Sequence, residues 1–317
     1  SVDRWLASSR LEEYDVGRVI HSYSFGERKL ADHLKTGRRC MLDVKPKFLL
    51  HKFRQINQAL KEKEILSSLE HPFITRFYTT FQDANCLYMV LEFAPGGDLF
   101  RLLRAKGRFL EEATKIYAGM LLLALEYLHS KDIMYRNIKP ENCLIAENGY
   151  LKLLDFGFAK VVPRLTYTMC GTPEYMSPEC LLNRGHGKPC DLWSLGIIIY
   201  EMLVGEPPFV DEDPMGIYQK IIQGDYAKPS HISDQAKTLL QGLLQRDPAQ
   251  RWDVAGVREA DFFLGFDWAV LLSQELPSPM VPDKPDEDAR NCYDDIAGMI
   301  YHEYRPAPFG LDAFRKW

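Results

Sequence analysis

Three things are scarce in this sequence of 317 residues, and each scarcity excludes a class of protein. Cysteine is sparse and unpatterned: Cys40, Cys86, Cys143, Cys170, Cys180, Cys190 and Cys292 make seven, an odd number without a C-x-x-C pair. That argues against a disulfide framework and a zinc ribbon, and makes the cell interior, cytoplasm or nucleus, the expected compartment. Long apolar runs are missing. The longest, MLLLALEYL from Met120, is interrupted by Glu126 and is too short to span a bilayer, and no secretory-type segment opens the sequence. Positive charge is not in excess: a formal net charge of −5 argues against nucleic acid as the main partner. No internal repeat is visible.

What is present is the balance of a folded chain, with 46% hydrophobic and 26% charged residues and length enough for a large core. VDRWLASSRLEEY predicts a short amphipathic helix over 1–13, with Trp5, Leu6 and Leu11 free to dock on a neighbour. A strand-rich segment follows, about 14–93. It includes RRCMLDVK (Arg38–Lys45) and CLYMVLEF (Cys86–Phe93) as strands and one helix over LLHKFRQINQALKEKEILSSL. After APGGD the pattern turns helical, about 94–264. There EEATKIYAGMLLLALEYLHS and DLWSLGIIIYEMLVG are apolar nearly all round and read as buried helices. A Pro-rich irregular tail, 265–317, is expected to wrap the surface.

Three motifs between Tyr135 and Glu179 carry the chemistry: YRNIKPEN, then DFG at Asp155–Gly157, then SPE at Ser177–Glu179, with CGTPEY and DLWSLG alongside. In this order they resemble the AGC group of protein kinases, and in detail the cAMP-dependent kinase catalytic subunits. The resemblance implies an α+β, two-lobed protein kinase fold with an AGC-type C-terminal tail. It also implies Mg²⁺ and ATP as cofactors and peptide docking on the larger lobe.

The match fails at three functional positions. The family's G-x-G-x-x-G loop is HSYSFG here, His21–Gly26, of which only Gly26 survives; His21 and Tyr23 fill the other two places, and the stretch reads as a hairpin turn. The phosphate-gripping Lys falls on Asp43, counted without gaps from Glu62, its helix partner in KEKEIL. Unit charges about 4 Å apart interact by roughly 4 kcal/mol at a dielectric near 20, so the reversal opposes phosphate by several kcal/mol. Arg28, where the family has an adenine-packing Val, is the expected cation for the Asp43 and Glu62 carboxylates. Lys45, two residues beyond Asp43 on the same strand face, and Lys29 are the candidates to substitute for the missing phosphate lysine, though each reads more readily as a solvated surface lysine. Third, Asn137 replaces the Asp that accepts the substrate proton. An amide cannot carry a proton away at neutral pH, and losing such a base costs on the order of a hundredfold to ten-thousandfold.

Other positions match. The resemblance makes Asn142 and Asp155 metal ligands and Lys139 the catalytic-loop lysine. It makes Thr168 an activation-loop phosphosite served by Arg136 and Lys160. Asp98, Glu141, Glu174 and Glu201, with Tyr175, become receivers of a basic peptide, and Arg184 and Tyr218 contacts for a regulatory subunit. Glu179 and Arg251 match a structural ion pair; Leu66, Phe77, Tyr135 and Phe156 match an apolar column. In the tail, PFGLDAF, with Phe309 and Phe314, is the nearest hydrophobic docking motif, and the family's acidic run shrinks to Tyr293–Asp295. The expected function is binding with catalysis lost or severely weakened and ATP weak or absent. The expected partner is a regulatory subunit, a pseudosubstrate-like inhibitor or another kinase. The alternative is an active serine/threonine kinase with a relocated lysine, acting on Arg-containing peptides.

Overall fold

A computed structural model describes residues 10–282 and 311–317. Trp5, Leu6, Cys292, Tyr293–Asp295 and Phe309 lie outside the described residues, and so does most of the expected N-terminal helix. The chain divides into two compact units, Ser1–Glu70 with Thr75–Phe93 and Asp286–Trp317, and His71–Ile74 with Ala94–Pro285.

The first unit is a five-stranded antiparallel sheet in the order β1-β2-β3-β5-β4. Its strands are β1 (Tyr14–Tyr23), β2 (Gly26–His33), β3 (Arg38–Pro46), β4 (Phe77–Gln82) and β5 (Cys86–Glu92). Strand periodicity sorts β3 into two faces. Cys40, Leu42 and Val44 join Ala31, Tyr88, Val90, Tyr14 and Phe81 in an apolar core on one face. The alternate residues Met41, Asp43 and Lys45 therefore point to the other face. The register sets Arg28 opposite Asp43, His21 opposite Arg28, and Tyr23 opposite Gly26. HSYSFG is thus the tip of the β1–β2 hairpin, as expected.

The single helix expected over Leu49–Leu69 is two, α1 (Lys47–Lys52) and α2 (Ile56–Ser67). The break falls at Arg54, whose φ of 56° no α-helix accommodates. Ala59 and Leu50 from these helices pack on Leu87, and Phe314 completes the cluster with Trp317 at its edge. The tail therefore docks through Phe314 and Trp317, a spacing of three that the sequence reading, centred on Phe309 and Phe314, did not register. The Trp317 indole donates to Phe81 O at 3.0 Å, Lys63 Nζ to Lys316 O at 2.8 Å, and Gln82 Nε2 to Phe314 O at 3.1 Å.

The second unit is helical: α3 (Leu99–Lys106), α4 (Glu111–Ser130), α5 (Pro178–Leu181), α6 (Pro189–Val204), α7 (Pro214–Gln223), α8 (Asp234–Leu243), α9 (Val254–Arg258) and α10 (Trp268–Leu272). All residues of α6 from Cys190 to Leu203 are buried, and α4 is buried along most of its length, as their apolar patterns predict. Two short ribbons, β6 (Ile133–Met134) with β9 (Lys160–Val161) and β7 (Cys143–Ile145) with β8 (Leu151–Leu153), hold the loop that contains YRNIKPEN. Glu179 and Arg251 form a bidentate buried pair at 2.7 and 2.9 Å. Tyr135 and Phe156 meet edge to face at 5.1 Å, while in the first unit Leu66 is buried and Phe77 half-buried.

Truncating Phe314 to Ala should destabilise the first unit by about 3 kcal/mol, the usual cost of removing a buried aromatic. Urea unfolding measures it; a loss below about 1 kcal/mol would mean that the tail is not seated there.

Candidate functional site

On the charged face of the first unit's sheet, one ammonium organises the rest. Lys45 Nζ lies 2.8 Å from Asp43 Oδ2 and 3.0 Å from Glu62 Oε2, and donates to Tyr23 OH at 3.1 Å. Tyr23 in turn donates to Asp43 Oδ1 at 2.5 Å, and Arg28 Nε stands 3.8 Å from the same oxygen. Asp43, Lys45, Glu62 and Arg28 are all buried. The expectation of a solvated Lys45 is therefore corrected: only 5% of it is exposed. The reason is local. Lys45 is two residues from Asp43 on the same strand face, and two buried carboxylates without a cation would repel. Arg28 does approach Asp43, and Lys45, which lies closer to it, also reaches Glu62. Lys29 pairs with Glu27 at 2.9 Å.

The charges hold one another in place. Burial alone would push the Asp43 carboxyl up, but Lys45 and Arg28 outweigh it and keep the pKa below its ordinary value. Burial would likewise lower Lys45, and the Asp43 and Glu62 carboxylates instead raise it well above the usual lysine range. Burial and Asp43 together raise the Tyr23 phenol, so it stays a donor. The surviving glycine has a part in this: a Cβ on Gly26 would stand 2.3 Å from Val44 O and 2.8 Å from Tyr23 OH. Only glycine lets the Tyr23 ring lie there.

In the second unit, the YRNIKPEN loop is hung from one buried carboxylate. Asp191, at the start of α6, accepts from Tyr135 N at 3.0 Å, Arg136 N at 2.7 Å and the His129 ring at 2.8 Å. These bonds hold Arg136 at a φ of 62°, strained for a non-glycine residue. Asn137 is thereby fixed with its amide donating to Asp155 Oδ2 at 3.1 Å, while Asn142 Nδ2 donates to Asn137 O at 2.8 Å. Gly157 N–H occupies Asp155 Oδ1 at 3.2 Å. Lys139 is half-buried beside them, its carbonyl accepting from Asn142 N at 3.0 Å.

Mg²⁺ and ATP can be tested against these residues. Asp155 and Asn142 are oxygen-bearing side chains of the kind Mg²⁺ takes, but both oxygens of Asp155 already accept hydrogen bonds, one of them from Asn137. For ATP, Lys45 is a buried cation in the first unit, paired with both Asp43 and Glu62.

Further along, Thr168 is exposed, and Arg136 Nη1 donates to its carbonyl at 3.4 Å. The Lys160 ammonium donates to the buried Thr166 hydroxyl, two residues before Thr168, at 2.8 Å. Three of the four acidic positions gather around Tyr175. Its hydroxyl donates to Glu201 at 2.5 Å, and burial pushes the Glu201 carboxyl up to about 7, with Glu141 and Glu174 adding to the rise and Tyr175 and Arg104 opposing it. Glu141 Oε2 and Glu174 Oε2 are buried without a hydrogen-bond partner. Such acceptors are costly to leave unmet and suit an incoming guanidinium. Asp98 stands apart as the N-cap of α3, accepting from Arg101 N at 2.8 Å, with burial raising its pKa. Arg184 is exposed just after α5, and Tyr218 is half-buried on α7.

With these features in view, the comparisons define the class. The protein kinase domain family matches residues 16–263, so the chain belongs to the protein kinase family. It is similar to cAMP-dependent kinase catalytic subunits, of the AGC group. One from Dictyostelium discoideum is 40% identical over 281 residues, which is 87% of this chain and 43% of that protein. The catalytic subunit PRKX of Homo sapiens is 39% identical over 277 residues, 86% of this chain and 77% of the relative. The cAMP-dependent protein kinase type 3 of Saccharomyces cerevisiae is 39% identical, again covering 86% of this chain and 70% of its own length. The chain thus spans less than half of the first relative. Among the described residues no helix is long and apolar enough to cross a membrane.

Replacing Lys45 by Met leaves Asp43 and Glu62 buried together, and should cost about 3–5 kcal/mol in urea unfolding, the range for breaking a buried ion pair. Adding Asp43→Leu should recover a substantial part of that loss. Simple addition of the two losses would contradict the bridging role of Lys45.

Proposed function

We propose that this protein kinase-family chain, with a kinase domain over 14–264 and a tail over 265–317, acts chiefly by binding proteins. Its phosphoryl transfer is lost or severely impaired. The observation that carries this reading is the Lys45 ammonium held between Asp43 and Glu62: the charge that phosphate would seek is already neutralised inside the protein. A triphosphate entering beside Asp43 has to displace a short ion pair or tolerate a carboxylate. The amide at Asn137 adds a second loss, because it donates to Asp155 and has no capacity to take a proton from a hydroxyl. Mg²⁺-nucleotide binding is accordingly weak or absent.

The partner side of the proposal rests on Glu141, Glu174 and Glu201. The unmet oxygens of Glu141 and Glu174, with the buried Glu201 carboxyl beside them, suit the guanidinium of an Arg-bearing peptide, as presented by a regulatory subunit or a pseudosubstrate-like inhibitor. Asp98, Arg184 and Tyr218 would extend that surface, and phosphate on Thr168 would draw on Arg136 first. An intracellular setting, cytoplasmic or nuclear, goes with such a partner.

One observation favours a second reading. The 3.0 Å contact from Lys45 to Glu62 reproduces, two residues further along the strand, the Lys–Glu pair an active kinase uses. On that reading Lys45 swings to the phosphates and Asn137 only orients the hydroxyl. Calorimetric titration with Mg-ATP, run beside a phosphorylation assay on an Arg-containing peptide, separates the two. The binding reading predicts no heat of binding at millimolar nucleotide and no phosphate transfer; micromolar affinity, abolished by Lys45→Met, with label on the peptide would establish the second.

The acidic group carries its own prediction. Below about pH 7 Glu201 is mostly neutral, and a guanidinium binds its charged form. Affinity for an Arg-containing peptide should therefore rise as pH goes from 6 to 8, by at most about tenfold per unit, and level off above. Glu201→Gln should flatten the profile; a wild-type affinity independent of pH would remove Glu201 from the binding site.

A further inference from the structure

The chain as a whole is acidic, yet positive charge gathers on one face of the first unit. The stretch KFLLHKFR, Lys47–Arg54, holds three Lys or Arg residues and one His, with no acid among them. Helix α1 sets Phe48, His51 and Lys52 on one side, because residues three and four apart share a helix face. All three are exposed, and so are Phe53 and Arg54 just beyond them. Phe48 is 37% exposed and Phe53 45%, unusual for rings with no polar atom. The Lys52 ammonium lies 5.9 Å from the centre of the Phe48 ring and 5.3 Å from that of Phe53, so the two rings and the cation form one patch. Phe25 meets the Phe53 ring edge to face at 5.5 Å and holds it in place.

The basic character continues onto the neighbouring elements. Leu50 of α1, Ala59 of α2 and Phe314 of the tail share one apolar cluster, and Lys47 Nζ stands 5.3 Å from the Phe314 ring. Lys61, Arg315 and Lys316 are exposed on these same elements. Lys63 is half-buried, donating to Lys316 O at 2.8 Å with its ammonium 5.8 Å from the Trp317 ring. Of the two acids on α2, Glu62 is buried against Lys45, which leaves Glu64 as the exposed one.

Exposed aromatic rings rimmed by cations mark an interaction surface. Shape and charge select its occupant. The outward side of a helix is convex, so the partner has to lie flat against it. The absence of acids from Lys47–Arg54 calls for an anionic partner, and the rings call for an apolar layer within a side chain's reach of those anions. A bilayer rich in anionic lipid meets all three demands, with charged headgroups at the level of the ammonium groups and acyl chains just beneath. We propose that α1 with Phe53 and Arg54 is a peripheral docking surface for phosphatidylserine-containing membranes. Phe48 and Phe53 enter the interface, and Lys52 and Arg54 meet the headgroups, their aliphatic stems running beside the rings. The attachment is reversible and salt-sensitive, since two rings and a few cations make a weak anchor.

The test is flotation of the whole protein with vesicles of phosphatidylcholine alone, or of phosphatidylcholine and phosphatidylserine mixed two to one. Binding is expected to the mixed vesicles only and should be lost at high salt. Lys52→Glu removes one cation and adds an anion, each worth about fivefold near an anionic surface, so affinity should fall by roughly twentyfold. Phe48→Ala combined with Phe53→Ala should lower it several-fold. Lys106→Glu, at an exposed position on α3 of the second unit, makes the same change in net charge and should bind like the wild type. If the double Phe variant fails to fold by circular dichroism, the comparison of Lys52→Glu with Lys106→Glu carries the test. Binding to neither vesicle, equal binding to both, or equal losses in those two Lys variants would each overturn the proposal. So would poly-glutamate bound as tightly as the mixed vesicles, which would make the partner an acidic protein.

Discussion

A single buried ammonium organises the first unit of this kinase-family chain. Lys45 neutralises Asp43 and Glu62 together, with Tyr23 closing the network from the hairpin and Arg28 supporting it from β2. Remove it and two carboxylates face each other without solvent, so the residues around it are mutually dependent. The loss of the loop glycines belongs to the same arrangement. Tyr23 stands where the family has glycine, and the one remaining glycine, Gly26, leaves space for its ring. The hairpin tip, the strand register and the ion cluster are therefore parts of one linked arrangement.

The large unit shows the opposite behaviour. Its scaffold keeps the features that hold an active loop in position: Asp191 receives the Tyr135 and Arg136 amides, and Glu179 with Arg251 anchors the segment before α6. At the tip of that loop Asn137 donates its amide to Asp155. The carboxylates around Tyr175 fit the same picture, since they need a geometry able to receive guanidinium but no general base.

Much of this was legible in the sequence. Strand alternation in RRCMLDVK and the apolar helices read at 111–130 and 191–205 outlined the architecture, and ordered motifs pointed to the family. An acid at Asp43 with Arg28 as a cation beside it was legible in the sequence. The identity of the dominant cation was not. Lysines at strand ends are usually solvated, and only the burial of Glu62 next to Asp43 makes Lys45 the exception. The helix break at Arg54 was hidden because the apolar spacing runs on through it. The docking of Phe314 and Trp317 could have been found by reading FRKW as an aromatic pair at a spacing of three.

The most direct measurement is a crystal structure after soaking with Mg²⁺ and a non-hydrolysable ATP analogue. The account predicts Lys45 still bound to Asp43 and Glu62, with no ordered triphosphate beside them. An ordered triphosphate with the Lys45 ammonium turned onto its oxygens would contradict it.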